Sequence, residues 1–375
     1  MNFSNELTSF PSAVHKIIYA AARDLAPLEY SLGKVEDITQ KYGVTKASCE
    51  AFHNFLLDLF SDMYDFPEAY HLPVYELENY LGGKKEIEMK RKFPSKTKKI
   101  ISYTRNVVHG YMLVLGMLGQ YGTVQENHLV ISSEILQIIE KRVNSPTSPI
   151  SLDHRLSAMA RVGFICEGDV LISQKHPVMF PALCALAQRV DKKLSGFPFF
   201  SFCNCDFRNL ENKYKPSYED YFRPLVHERF EQVMSLHKIA IEHGCKPTIN
   251  TFWKVDYKYK GVQVMCIDTL EGDMDIRVTE TYNWDDANLI NERLEKETPE
   301  FQTYALRHLW RCTGCSTSHL GCFVTVLGKR HRVCGGGIIG FKWRNPLETD
   351  IEIIGHMIGI RCEIIDEIKR LENQK

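Results

Sequence analysis

The sequence predicts an α+β protein: a mostly helical N-terminal region with helix-turn-helix and winged-helix features, then a C-terminal antiparallel sheet with covering helices and a Cys-rich metal clip. Three observations carry this expectation. Apolar residues recur at helical spacing in segment after segment of the first 243 residues. From Trp253 to Val278 they alternate with polar ones, the period of a half-buried strand. Near the end stand Cys312, Cys315, Cys322 and Cys334, with two, six and eleven residues between successive thiols, a spacing of metal ligands.

A chain of 375 residues exceeds one ordinary core and predicts several domains. We expect a helical domain over 1–83, a basic linker over 84–99, a helical domain with a β-hairpin over 100–243 and an α+β domain over 244–375. The 44% hydrophobic and 25% charged content is that of a water-soluble globular chain. A net charge of -1 excludes a globally polyanion-seeking surface and leaves room for a local basic patch. Twelve cysteines are too few for a disulfide scaffold of this length. Residues Met1 to Phe10 lack the basic start and apolar core of a secretory signal, so reduced thiols and a cytoplasmic location are expected. The apolar run Val107 to Leu118 is too short to span a bilayer and reads as a buried helix, so no membrane partner is expected.

Val14, Ile17, Ile18 and Ala21 mark a first helix after Pro11. Ile38, Tyr42, Val44, Cys49 and Phe52 then place apolar residues on both sides of Gly43, as a helix-turn-helix requires. Thr45 is the expected cap of its second helix, and Lys46 an outward residue. A helical hairpin without DNA contact fits the same residues, and Thr39 stands where the motif usually has alanine. Lys84, Lys85, Lys90, Arg91, Lys92, Lys96, Lys98 and Lys99 crowd the next segment and would attract phosphates through counterion release. A solvated helix face or a linker produces the same run. Arg105 and His109 are spaced one residue too close for the Arg/His pair of helical ribonucleases, so His109 reads as a satisfied, helix-borne histidine.

Helices are expected over Ser133 to Arg142, Leu152 to Ala160 and Val178 to Val190, with a hairpin turning at Glu167-Gly168-Asp169. Cys203-Asn204-Cys205 reads as core-lining. Ser217 and Asp220 form a capping box that opens a helical region ending at Gly244. In the meander, Val255, Tyr257 and Tyr259 face inward with Val262, Val264 and Cys266, across a Lys260-Gly261 turn; Met274, Ile276 and Val278 supply the next inward set. Asp285 and Thr298-Pro299-Glu300 open two helices. Phe323 to Leu327 and Arg330 to Cys334 form a hairpin, and Asp350 to Leu371 a final helix striped with isoleucine.

Four thiolates suit tetrahedral Zn2+ in a closed structural site, with an iron-sulfur cluster the less favoured alternative. His308, His319 or His331 is close enough in sequence to replace one thiol. Gly335, Gly337 and Gly340 have dinucleotide-loop spacing, but Phe341-Lys342-Trp343-Arg344-Asn345-Pro346 does not open the helix that loop needs. No Gly-x-Ser-x-Gly, phosphate-binding loop or His-Glu-x-x-His stands in the chain, so no catalytic residue is assigned. Through His176-Pro177-Val178-Met179-Phe180, Cys205-Asp206-Phe207-Arg208 and the Cys-x-x-Cys clip, the chain resembles uncharacterised proteins of anaerobic Gram-positive bacteria. That resemblance implies no activity.

The expectation is a non-catalytic protein that binds DNA or another nucleic acid, or acts as a regulator, through Lys46 and the 84–99 cations. Its rivals are an enzyme or ligand-binding domain with a pocket at Trp253, Tyr257 and the final helix, and a protein-interaction scaffold.

Overall fold

Burial sorts the helices by face before any tertiary contact is considered. A computed structural model describes residues 10–26, 28, 43–73, 94–144, 149–210, 217–222, 227–251, 254–268, 274–278, 284–311, 322–333 and 340–374. It is a mixture of helix and antiparallel sheet, as an α+β class requires. The chain divides into two compact units, Met1–Ser217 and Tyr218–Lys375.

In the first unit, α1 (Ala13–Arg23) buries Val14, Ile17 and Ile18, and α2 (Lys46–Asp65) buries Phe52, Phe55 and Leu59. Thr45 caps α2 as its hydroxyl position suggests: Ser48 N donates to Thr45 Oγ1 at 3.1 Å and Thr45 N donates to Ser48 Oγ at 3.0 Å. The first helix expected of the helix-turn-helix, over 35–42, lies outside the described residues. Helix α3 (Pro94–Tyr121) contains the long apolar run, with Val107, Tyr111, Val114, Leu115 and Leu118 fully buried. Because α3 starts at Pro94, the last six positions assigned to a basic linker are helical.

Two hairpins follow. Strands β1 (Thr123–Gln125) and β2 (His128–Val130) precede α4 (Ser133–Val143) and α5 (Leu152–Met159); β3 (Phe164–Glu167) and β4 (Val170–Ser173) come after. All four join in one antiparallel sheet in the order β1-β2-β4-β3. The expected wing is thus half of a sheet whose other half has too few apolar residues to read as strand. Helices α6 (Phe180–Ala187) and α7 (Gly196–Cys203) pack against α3 and α2, with Phe52 of α2 6.2 Å from Phe202 of α7, while Phe55 of α2 meets Phe164 of β3 at 5.5 Å.

The second unit begins with α8 (Tyr218–Phe222) and α9 (His227–Glu242), which Gly244 ends at φ 77°. The sequence reading closes a helical domain at 243, whereas α9 packs on α12 (Glu348–Glu372) and on β5 (Lys246–Thr251) within this unit. Strands β6 (Lys254–Tyr259), β7 (Val262–Asp268), β8 (Asp275–Val278) and β11 (Phe341–Arg344) complete an antiparallel sheet in the order β11-β8-β7-β6-β5. Helix α12 covers β7 and β8, flanked by α9 and α10 (Trp284–Leu294). Helix α11 (Pro299–His308) lies on β11, capped by Thr298.

One inward assignment needs correction. Tyr257 pairs with Met265 but Lys258 pairs with Gln263, so Val264 is an extra residue on β7. Such a bulge reverses the alternation beyond it. Met265 and Ile267 therefore share the apolar face with Val255, Tyr257, Ile276 and Trp343. Cys266 turns to the opposite face, in a cross-strand row with Asp256, Arg277 and Lys342. Burial there pushes its thiol up to about 12.

Candidate nucleic-acid interface

The stretch Cys322 to Val333 alternates in both arms and turns at Leu327-Gly328. Both turn residues are left-handed, at φ 49° and 70°, which matches the twist of a two-residue hairpin. Strands β9 (Cys322–Val326) and β10 (Lys329–Val333) pair in register from Val326 and Lys329 at the turn to Cys322 and Val333 at the open end. Val324, Val326, His331 and Val333 are buried, the three valines in the core of the second unit. That burial fixes which face remains outside.

Phe323, Thr325, Arg330 and Arg332 are exposed on the outer face, and Lys329 is exposed at the turn. Phe323 keeps 52% of its surface in solvent, unusual for an isolated phenylalanine on a strand. The Arg330 guanidinium lies 4.1 Å from its ring centroid, a cation–π contact that holds both side chains in place. No aspartate or glutamate occurs between 322 and 333, so the ribbon's own sequence contributes three cations and no acid. Behind them, burial first and then Arg311 and Lys329 hold the His331 imidazole below its ordinary range, which keeps it neutral. The turn is fastened from below: Leu327 N donates to Asn291 Oδ1 at 2.7 Å.

No family model, curated protein or solved structure matches the chain.

The residues singled out from sequence are distributed as follows. Cys312, Cys315 and Cys334 lie outside the described residues. Cys322 opens β9, its side chain outside them. The open end of the ribbon is the pair Cys322 and Val333, one residue before Cys334 in the chain. Among the described residues no group of three or more His, Cys, Asp or Glu is placed to hold a metal. Of the three histidines offered as replacement ligands, His308 stacks on Trp343 at 5.2 Å, with Nδ1 3.3 Å from Lys342 O. His319 lies outside the described residues. His331 has a buried Nε2 that no described residue hydrogen-bonds.

Lys46 is the first residue of α2 and sits 3.8 Å from Glu50, an exposed ion pair that blunts its charge. Lys84, Lys85, Lys90, Arg91 and Lys92 lie outside the described residues. Lys96, Lys98 and Lys99 lie on the N-terminal turns of α3, their side chains outside the described set. Of the rival pocket, Trp253 lies outside the described residues, while Tyr257 is fully buried with its hydroxyl 2.8 Å from His237 Nδ1. His109 lies on α3 and packs edge-on against Phe199 at 5.1 Å, a helix-borne histidine with an aromatic partner, and it is exposed rather than part of the core. Phe323, Arg330 and Arg332 were legible as Phe-x-Thr and Arg-x-Arg on facing arms.

Proposed function

We propose that the protein binds nucleic acid without transforming it, and that the outer face of the β9–β10 ribbon is its contact surface. The observation that carries this reading is the exposed Phe323 held beside Arg330 and Arg332 on a strand pair devoid of acids. Arginine meets phosphate through a planar fork of donors, and an exposed ring meets a base face or edge. A two-stranded ribbon also has the width of the DNA major groove. In the same reading, Zn2+ on Cys312, Cys315, Cys322 and Cys334 would brace the base of the ribbon, and the 84–99 cations would add contacts to the phosphates. Cytoplasmic residence would keep these thiols reduced.

The test is fluorescence anisotropy with labelled single-stranded and duplex DNA over a salt series. Arg330→Gln with Arg332→Gln should weaken binding and lower the slope of log K against log salt by roughly 1.5, two phosphates' worth of released counterions. Phe323→Ala should weaken binding while leaving the slope in place. Equal affinity and slope in the doubly neutralised variant would remove the ribbon from the interface. Elemental analysis of untagged protein should return one equivalent of zinc in a colourless sample; iron with visible absorption would transfer the thiols to a cluster.

A further inference from the structure

Helix α9 ends in a tight reversal at Gly244, where Cys245 N donates to Ala240 O at 2.9 Å, and the chain enters β5 at Lys246. Across from this corner, α12 carries Gly355 and Gly359 one turn apart. A Cβ at Gly355 would lie 3.2 Å from Ile239, and one at Gly359 would lie 3.1 Å from the His243 ring. These two glycines let the helices approach closely at their crossing. Cys362, three residues on, then meets Cys245, and the two sulfurs are 3.9 Å apart. Both residues are enclosed, Cys245 at 3% and Cys362 at 7% exposure. All of these contacts lie within the second unit.

We propose that Cys245 and Cys362 are a reversible oxidation site, closed to a disulfide by a peroxide. Either sulfur can donate the hydrogen bond between them, so either thiol can be the one that reacts first; with Cys245 as the nucleophile, Cys362 is the resolving thiol. The Cys245 thiolate attacks one oxygen of hydrogen peroxide, the O–O bond breaks, and the leaving hydroxide takes a proton to become water. Cys245 is then a sulfenic acid. Cys362, losing its proton, attacks that sulfur, and the hydroxyl leaves as a second water. Two thiols are oxidised by two electrons and one peroxide is reduced to two waters. The sulfurs must close from 3.9 Å to about 2.05 Å for the bond to form. The bond would tie the last helix to the first strand of the sheet across 117 residues of chain. Enclosure makes the reaction slow in the folded protein and faster when α12 opens.

The full-length chain is treated with hydrogen peroxide, blocked with an alkylating agent after unfolding, and digested without reduction for mass mapping. We expect one cross-linked peptide pair containing Cys245 and Cys362, lost on dithiothreitol treatment, and a raised unfolding temperature before reduction. Cys266, as deeply buried on the sheet's other face, should remain an alkylatable thiol. In Cys362→Ser, Cys245 should pass on to the sulfinic acid because nothing resolves it. If that variant does not fold, the map of the unaltered chain decides alone. Recovery of Cys245 and Cys362 as separate thiols, or of Cys245 as sulfinic acid with Cys362 intact beside it, overturns the proposal.

Discussion

Single residues in the second unit act through small closed sets of partners. Tyr304 donates its hydroxyl to Asp350 Oδ1 at 2.5 Å and accepts from Trp343 Nε1 at 2.9 Å, while Asp350 Oδ2 accepts from Leu347 N at 2.7 Å at the start of α12. One phenol thus links α11, β11 and α12. Tyr304→Phe keeps the ring and leaves a buried indole N–H unpaired, so it should cost about 1–3 kcal/mol in urea unfolding. Burial and the Asp350 hydrogen bond together hold the Tyr304 hydroxyl protonated well above the ordinary tyrosine range. None of this set could be read from sequence, because Tyr304, Trp343 and Asp350 belong to three elements whose relative placement is set only on folding. By contrast, the Thr45 and Thr298 caps were legible, since a cap acts over three residues of local chain.

Whole elements were legible in proportion to the length of their repeating pattern. The stripes of α1, α3 and α12 and the alternation of β6 carry enough residues for the period to show. Strands β1 and β2 hold three residues each, and a three-residue strand has no visible period. The Val264 bulge was hidden for a different reason: a one-residue offset leaves Val262, Val264 and Cys266 looking like a clean alternation. The ribbon's backbone was legible from its alternation, whereas the face left outside is settled only when Val324, Val326 and Val333 enter the core. Close helix packing makes its own prediction at this scale. A Cβ at Gly119 of α3 would lie 2.7 Å from Ala187 Cβ and 3.0 Å from Leu183 O on α6, so Gly119→Ala must push two backbones apart. It should destabilise the first unit by about 2–3 kcal/mol in chemical denaturation. At Gly116 the nearest atoms are the tips of Leu194 and Phe202, at 3.1 and 3.3 Å. Gly116→Ala should stay within about 1 kcal/mol of the parent, because helix propensity offsets a contact that side chains can relieve.

At the scale of the molecule, each unit has its own reason to fold. The core of the second runs from Phe222 to Ile365 and draws every member from that unit. Expressed alone, 218–375 should therefore show a cooperative thermal transition with retained near-ultraviolet dichroism; a non-cooperative melt would contradict this. Acidification should weaken both units. His53 in the first, and His237 and His331 in the second, have lowered pKa values, with burial the largest cause in each. A folded-state pKa below the unfolded value means that the unfolded chain binds more protons in that window, so stability is full above the ordinary histidine pKa of about 6.5 and declines as pH falls through it. Urea midpoints measured from pH 7.5 to pH 5 should fall, and His53→Gln should flatten the decline. Among the described residues no helix is long and apolar enough to cross a membrane. The tether from Leu327 to Asn291 has a thermodynamic consequence for any encounter at the ribbon's tip. A finger already immobilised has little freedom left to surrender on contact, so calorimetry of the intact chain should record a smaller entropic penalty than that of Asn291→Ala, whose tip is loose until its target stills it.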